Sequence, residues 1–378
     1  MKRFFLKVFA LCLPFILLLA FPLLVQLKSG ELLSAQDVIK QQISKQRQVL
    51  YGPAYSNQND YYKLTMASRL KPEILALGDS KVLGFRAGFF KQPGQFYNAN
   101  SVIYAPNEFK DFVSALPQKP KLLIINIDPV EYDPGLPTST SDITKQFTVG
   151  SVWDNDTNIF FNSFLSVYTD YFKNKFSLRQ LFQNQGVKKI GLTALINGQG
   201  IRNDGSYYFG SDSADPTHAG NISRVAHIVD FVQHNGGSPS GNNFSEAGVL
   251  QLEDFFNYCQ KNNIYVIGYI SPQPHAVVEA YKNNPVYAYM FLTDSKIRPL
   301  FEKFHFGFFN YFDLASLSAP DSESYDGYHI TEKATLRILI KMAQQDPVLQ
   351  QQVDLKFLQK TLAEAKGQND VLADPAAN

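Results

Sequence analysis

Two short groups of residues have the types and spacing for covalent chemistry. Gly78-Asp79-Ser80 closes an apolar run, Ile74-Leu75-Ala76-Leu77, and Asp326-Gly327-Tyr328-His329 lies near the far end of the 378-residue chain. A serine hydroxyl is a weak nucleophile at neutral pH. It becomes competent when an imidazole takes its proton and a third group orients that imidazole. A serine on a tight strand-to-helix turn projects its hydroxyl from the end of a sheet, where backbone N–H groups can receive developing negative charge. The three-residue offset lets one turn present both Asp326 and His329. The two groups together suggest Ser-His-Asp chemistry on an acyl group, either hydrolysis or transfer.

The elements that must position these residues can be read from apolar runs and helical spacing. Ile74 to Leu77 is the first strand, and the mixed stretch Lys81 to Phe90 can form a helix after it. Phe96 to Ala99 reads as a short strand, Pro106 to Leu116 as a helix, and Leu122 to Ile127 as a strand buried on both faces. Ser245 to Asn262 is a helix, with Asn243 or Ser245 as its cap, and Ile264 to Ile270 is another buried strand. Tyr287 to Phe304 looks helical, Phe306 to Leu314 is the last strand and Thr331 to Gln345 the last helix. This alternation predicts an α/β fold: a doubly wound parallel sheet with helices on both sides, in three layers. Ser80 after the first strand and His329 after the last would then share the edge formed by the carboxyl ends of the strands.

The region from Asp133 to Asn243 breaks the rhythm. It is rich in Asn, Asp, Ser, Gly and aromatics and too long for a loop, so it reads as an insertion with helices at Ile159 to Phe172 and Leu178 to Phe182. The expected organisation is an anchor over residues 1–28 and a stalk and linker over 29–71. A domain over 72–345 follows, with the insertion at about 133–243, then a C-terminal helix and frayed tail over 346–378. Within the linker, Glu31 to Leu50 has helical apolar spacing, and Tyr51 to Lys63 reads as irregular.

Gly78-Asp79-Ser80 after the first strand, with Asp326-Gly327-Tyr328-His329 before the last helix, resembles the SGNH (GDSL-like) hydrolase superfamily. The resemblance covers about Pro72 to Gln345 in order and architecture. The anchor and insertion resemble envelope members such as the AlgJ/AlgX-like and DltD-like proteins. By this resemblance Ser80 is the nucleophile, His329 the base and Asp326 its orienting carboxylate, with the Ser80 N–H in the oxyanion hole. The middle blocks depart from the family pattern. Tyr97-Asn98-Ala99-Asn100-Ser101 and Asn126-Ile127-Asp128-Pro129 stand where a glycine block and a G-x-N-D block are usual. Asn100, then Asn98, are the leading oxyanion donors; Asp128, as a carboxylate, cannot donate when ionised. His275 follows a buried strand and is a candidate substrate contact. Asp79 reads as a structural turn residue.

The N-terminus sets the compartment. Lys2, Arg3 and Lys7 precede or interrupt an apolar stretch reaching Leu27, long enough to cross a bilayer, and residues 4–27 are the expected membrane segment. The basic residues favour a cytoplasmic N-terminus, with the main domain periplasmic or extracellular. A cleaved signal peptide is the rival reading, but Gln26-Leu27-Lys28-Ser29 offers no A-x-A pattern and Leu33-Ser34-Ala35 only a weak match. A net charge of +1 and the absence of a Lys/Arg tract exclude a nucleic-acid footprint. Cys12 falls in the anchor and Cys259 in a helix, so no internal disulfide is expected. Asn155, Asn221 and Asn243 begin matches to the glycosylation pattern, which matter only in a eukaryotic secretory pathway. His218, His227 and His234 are too scattered for a metal site, His305 reads as a packing or surface residue, and no cofactor is expected. Tyr207 and Tyr208 are core residues by default but could form a sugar platform, and Arg202 and Arg224 could meet an anionic polymer or equally form surface ion pairs.

These readings predict a membrane-anchored serine esterase or O-acyltransferase. Its substrates would be acyl esters, acetyl first among them, of an envelope glycan or polymer, within reach of envelope-complex partners. The alternative is an inactive scaffold or glycan-binding protein of the same fold in an export complex.

Overall fold

The computed structural model describes residues 1–44, 48–56, 59–135, 157–182, 188–210, 219–235, 241–368 and 371–372. Helix α1 (Lys2–Ser29) is followed by α2 (Ala35–Ile43), β1 (Val49–Tyr51) and α3 (Asn59–Leu70). Then come β2 (Ile74–Leu77), β3 (Phe96–Ala99), α4 (Glu108–Ala115) and β4 (Leu122–Ile127). The next stretch holds α5 (Thr157–Phe172), α6 (Leu178–Phe182), β5 (Lys188–Ile190), α7 (Leu192–Asn197), β6 (Gly200–Ile201), β7 (Tyr207–Tyr208), α8 (Ala219–Asn235) and α9 (Glu246–Lys261). The chain closes with β8 (Tyr265–Ile270), α10 (His275–Lys282), α11 (Thr293–Phe304), β9 (Gly307–Asn310), α12 (Glu332–Gln345), α13 (Pro347–Gln352) and α14 (Leu355–Glu364).

The main sheet is α/β in character: five strands in the order β3-β2-β4-β8-β9, every pairing parallel. Its strands alternate their side chains between two apolar clusters, as the pleat requires. Leu75, Leu77, Leu123 and Ile125 enter one cluster with Phe112, Phe255, Phe256 and Phe301. Ile74, Ala76, Leu122 and Ile124 enter the other with Leu336, Leu339 and Ile340. Burying each such Phe or Leu contributes about 1.5–3 kcal/mol. The chain adds β3 on one side of β2 and β4, β8 and β9 on the other. The order therefore reverses beside β2, and the crevice beyond the carboxyl ends of the strands there is where such sheets take ligands. Ser80 leaves β2 at that crevice.

Helix α1 is long and apolar enough to cross a membrane. It tolerates Pro14 and Pro22 and ends at Gly30, whose φ of 79° supplies the left-handed cap.

Several expectations are corrected. Lys81 to Phe90 forms no α-helix; the chain takes 3-10 turns at Ser80–Val82 and Ala87–Phe89, consistent with Gly84 and Gly88, which weaken a helix there. The segment read as stalk and linker is part of the body. Val38 and Ile39 of α2 and Tyr62 and Met66 of α3 lie in the same cluster as Leu75 and Leu77. Residues 59–63, read as irregular, open α3. The stretch between β4 and β8 is tied to the chain before the main sheet, because β1 pairs in parallel with β5 and antiparallel with β6 in a second sheet, β5-β1-β6-β7. The tail read as frayed docks as far as Leu372. Leu358 and Val371 are buried, and the Val371 N–H donates to Glu332 Oε1 at 3.1 Å. His218, Asn155 and Asp156 lie outside the described residues, as do residues 373–378.

Candidate active site

The serine turn is built around a neighbouring strand. Asp79 Oδ1 accepts from the Lys81 N–H at 2.7 Å and from Asn126 Nδ2 at 2.9 Å, while Asn126 Oδ1 accepts from the Asp79 N–H at 3.2 Å. Asn126 stands on β4 and thereby fixes the turn leaving β2. A Cβ on Gly78 would sit 1.8 Å from Asn126 Oδ1, so only glycine admits that contact. Each residue of Gly78-Asp79-Ser80 thus has its own physical reason: clearance, closure of the turn, and a hydroxyl set at the sheet edge.

The second turn supplies an imidazole and a carboxylate. Asp326 Oδ1 accepts from the N–H groups of Tyr328, at 3.0 Å, and His329, at 2.8 Å. Ser324 Oγ accepts from the Gly327 N–H at 2.9 Å and donates to the His329 carbonyl at 3.0 Å. Gly327 has a φ of +95°, and a Cβ there would lie 2.6 Å from Ile228 of α8, so this glycine is required twice over. Thr331 then caps α12 through Ala334.

The two turns meet. Asp326 Oδ2 is 2.7 Å from His329 Nδ1, and His329 Nε2 is 2.7 Å from Ser80 Oγ. With Nδ1–H donated to Asp326, Nε2 is left to accept the serine hydroxyl, the tautomer a general base needs. Burial pushes the Asp326 carboxyl up, but the His329 ring and the His329 and Tyr328 N–H groups outweigh it and hold it below its ordinary value. The Ser80 N–H has no hydrogen-bond partner among the described residues.

In comparisons with known proteins, no family model, curated protein or solved structure matches the chain.

Behind Ser80 lies a buried charged group that sequence reading missed. Lys81 Nζ pairs with Asp128 Oδ2 at 2.6 Å. Gln273, oriented so that its amide is satisfied, accepts from Lys81 Nζ at 3.1 Å and donates to the Gly327 carbonyl at 3.1 Å, linking the two turns. That ammonium is paired with Asp128 and also feels the charges of Asp79 and Glu131. Burial and the charge of Asp128 push Asp79 up to about 7. Burial likewise drives Glu131 well above the carboxylate range, and both its oxygens are buried with no hydrogen-bond partner. Asp128, despite burial, is held below its ordinary value by Lys81. The available signals were Asn126-Ile127-Asp128-Pro129 at the end of one strand and Gln273 after another, both at the ligand edge.

The candidate oxyanion amides are spent elsewhere. Asn100 Nδ2 donates to Asn98 Oδ1 at 2.8 Å and to the Gly205 carbonyl at 2.7 Å. Asn98 Nδ2 donates to the carbonyls of Val82, at 2.7 Å, and Phe85, at 2.9 Å. Each amide has two N–H groups and both are used, so the structure corrects the assignment of either side chain as an oxyanion donor. They brace the serine turn against the hairpin β6–β7 instead. The buried Lys63 ammonium, which burial lowers to about 7, joins them by donating to the Asn98 and Gly205 carbonyls.

His275 is not drawn to the triad. Its ring meets Asp313 Oδ2 at 2.8 Å, its N–H donates to Asp321 at 2.6 Å, and it opens α10 at the surface. Arg202 is buried, pairing with Glu332 and donating to the Tyr207 carbonyl, so it belongs to the fold rather than to a polymer surface. Arg224 stacks on Tyr325, its carbon centre 4.6 Å from the ring. Tyr207 and Tyr208 are half-buried on β7, and the Tyr207 N–H donates to Leu83 just beyond the serine turn. Cys259 is buried in the first cluster, its thiol pushed up by burial. Among the described residues no group of three or more His, Cys, Asp or Glu could hold a metal ion.

Proposed function

We propose that this chain is a membrane-anchored serine esterase or O-acyltransferase of SGNH type. In this reading the domain is a three-layer doubly wound fold with an insertion, standing on the periplasmic or extracellular side of the membrane that α1 spans. It acts on acyl esters, acetyl first among them, of an envelope glycan or polymer. The observation that carries the reading is the continuous hydrogen-bonded line Ser80–His329–Asp326, at 2.7 Å in both links, assembled from opposite ends of the chain.

Ser80 Oγ attacks the acyl carbon as its proton passes to His329 Nε2. The carbonyl oxygen takes the negative charge, facing the Ser80 N–H. His329 then protonates the departing alcohol oxygen, leaving acyl-Ser80. Water or a sugar hydroxyl gives its proton to His329 and attacks the acyl carbon, and Ser80 leaves with that proton. Asp326 holds the imidazole and stabilises its charged form throughout. Water as acceptor makes the chain an esterase; a sugar hydroxyl makes it a transferase.

The test is a fluorophosphonate probe on the full chain in detergent, with the adduct mapped by mass spectrometry and Ser80→Ala and His329→Ala as controls. Labelling of Ser80 that needs His329 is the expected result. An unlabelled, folded chain favours the second reading, an inactive glycan-binding scaffold, for which the commitment of the Asn98 and Asn100 amides speaks.

A further inference from the structure

Large apolar side chains stand exposed on α5 and α6. Leu165 is 66% exposed, Phe172 75% and Phe182 60%. On α5 the buried Ser163 and Val167 share one face with the half-buried Tyr171. Leu165, Tyr168 and Phe172, spaced i, i+3, i+7, form a stripe on the opposite face. The rings of Tyr168 and Phe172 stack at 6.2 Å.

This stripe lies beside α1. Gln26 Nε2 donates to Ser163 Oγ at 2.9 Å, and the Tyr168 hydroxyl donates to the Leu18 carbonyl at 2.5 Å. Phe21 packs on Tyr168 at 5.3 Å and on Tyr171 at 5.0 Å. As α5 advances from Ser163 to Tyr168, its partner on α1 retreats from Gln26 to Leu18. The helix therefore runs down the outer end of α1, towards the apolar middle of that helix. Towards the outer end of α1, Lys28 sits 5.5 Å from the centre of the Phe182 ring of α6.

We infer that the exposed stripe of α5 and α6 is seated in the lipid bilayer, at the boundary between headgroups and acyl chains on the side facing the main domain. The inference rests on the reading of α1 as a bilayer span. A hydrocarbon layer of ~30 Å takes ~20 residues of helix. Every residue of α1 up to Ala20 is exposed and Pro22 is its first buried one, so the domain begins to cover the helix there. About 20 residues from Phe4 likewise end near Leu23, which places the outer boundary there and Leu18 about 8 Å inside it at 1.5 Å per residue. Interfacial helices bury their apolar face to about this depth, 5–10 Å. Tyrosine belongs at this level, and Lys28, about 8 Å outside the boundary at 1.5 Å per residue, stands among the headgroups. The seat fixes how the domain stands on the membrane, which an anchor alone does not.

The full chain is reconstituted in dioleoylphosphatidylcholine vesicles with Phe172→Trp in a Trp153→Phe background. Bromine is placed on the acyl chains either near the headgroup or near the bilayer centre. The expected result is that emission from the introduced tryptophan falls by about half with shallow bromines and less with deep ones, as for an interfacial residue. A tryptophan in place of Tyr104, an exposed residue of the main domain, stays bright. Leu165→Trp, on the same stripe, is the second reporter if Phe172→Trp does not fold. Retention of the chain after alkaline carbonate with the stripe tryptophan unquenched overturns the seat and leaves the anchor. The same result with cross-linking between copies through this face assigns it to a second copy instead. Extraction by carbonate overturns the anchor and the seat with it.

Discussion

Asp79 and Asp326 each close a tight turn beside a triad member, and each accepts the N–H two residues ahead. Their surroundings drive them apart. Asp326 stays partly open to solvent, shares its second oxygen with the His329 ring and is held below its ordinary value. Asp79 is pushed up to about 7 by burial and by the charge of Asp128, which holds the Lys81 ammonium in an ion pair. In the proposed reading one residue type serves two tasks: a charged Asp326 steers and stabilises an imidazolium, and Asp79 shapes the turn that presents the nucleophile.

The largest expected effect breaks or upholds this contrast directly. Asp326→Asn lowers acyl turnover about 10⁴-fold, by removing the tautomer and charge His329 needs. Asp79→Asn, which keeps an oxygen for the Lys81 N–H, leaves turnover within about tenfold. Turnover of an activated acetyl ester by both variants measures this, and the reverse ranking would exchange the two roles. Next in size, Lys81→Met leaves Asp128 buried without its cation and costs about 3–5 kcal/mol in denaturant unfolding. A much smaller loss would mean that Asp128 is neutral in the folded chain.

Gly78→Ala forces a methyl onto Asn126 Oδ1 and costs about 1–3 kcal/mol, the usual range for overpacking. Removing the obstacle in Asn126→Ala/Gly78→Ala recovers part of that loss if the clash is the cause, which a double-mutant cycle reads.

The smallest effect is in pH dependence, where the two carboxylates have opposite signs. The folded value of Asp79 lies above its unfolded value of about 3.9. Its folded form keeps the proton longer, and stability falls as pH rises from about 4 to about 7. The folded value of Asp326 is lowered, so its contribution is present above the unfolded value and is lost as pH falls through the folded one. Asp79→Asn flattens the first slope and leaves the second; melting temperature against pH separates them.

Much of this was legible because it is local. Four-residue apolar runs such as Ile74–Leu77 must be buried, the strand–helix alternation implies parallel pairing, and Asp326 reaches His329 across a single turn. What escaped depends on neighbours distant in sequence. Asn98 and Asn100 looked like free donors until Gly205, Val82 and Phe85 supplied acceptors for their amides. Arg202 looked like a surface cation until Glu332 closed over it. Tyr62 and Met66 looked like linker residues because their helix, α3, buries a face against α2 and β3, partners that no spacing within the segment reveals.

The sequence by itself determined the apolar first helix, the parallel α/β core and the two turns that carry Ser80, Asp326 and His329. These follow from side-chain hydrophobicity and spacing within one element. Only the tertiary structure decided that Nε2 of His329 faces Ser80, that Lys81 pairs with Asp128, and that α5 runs along α1. Hydrogen-bond partners and local charge balance are set by which distant segments pack together, and no spacing within a segment encodes that.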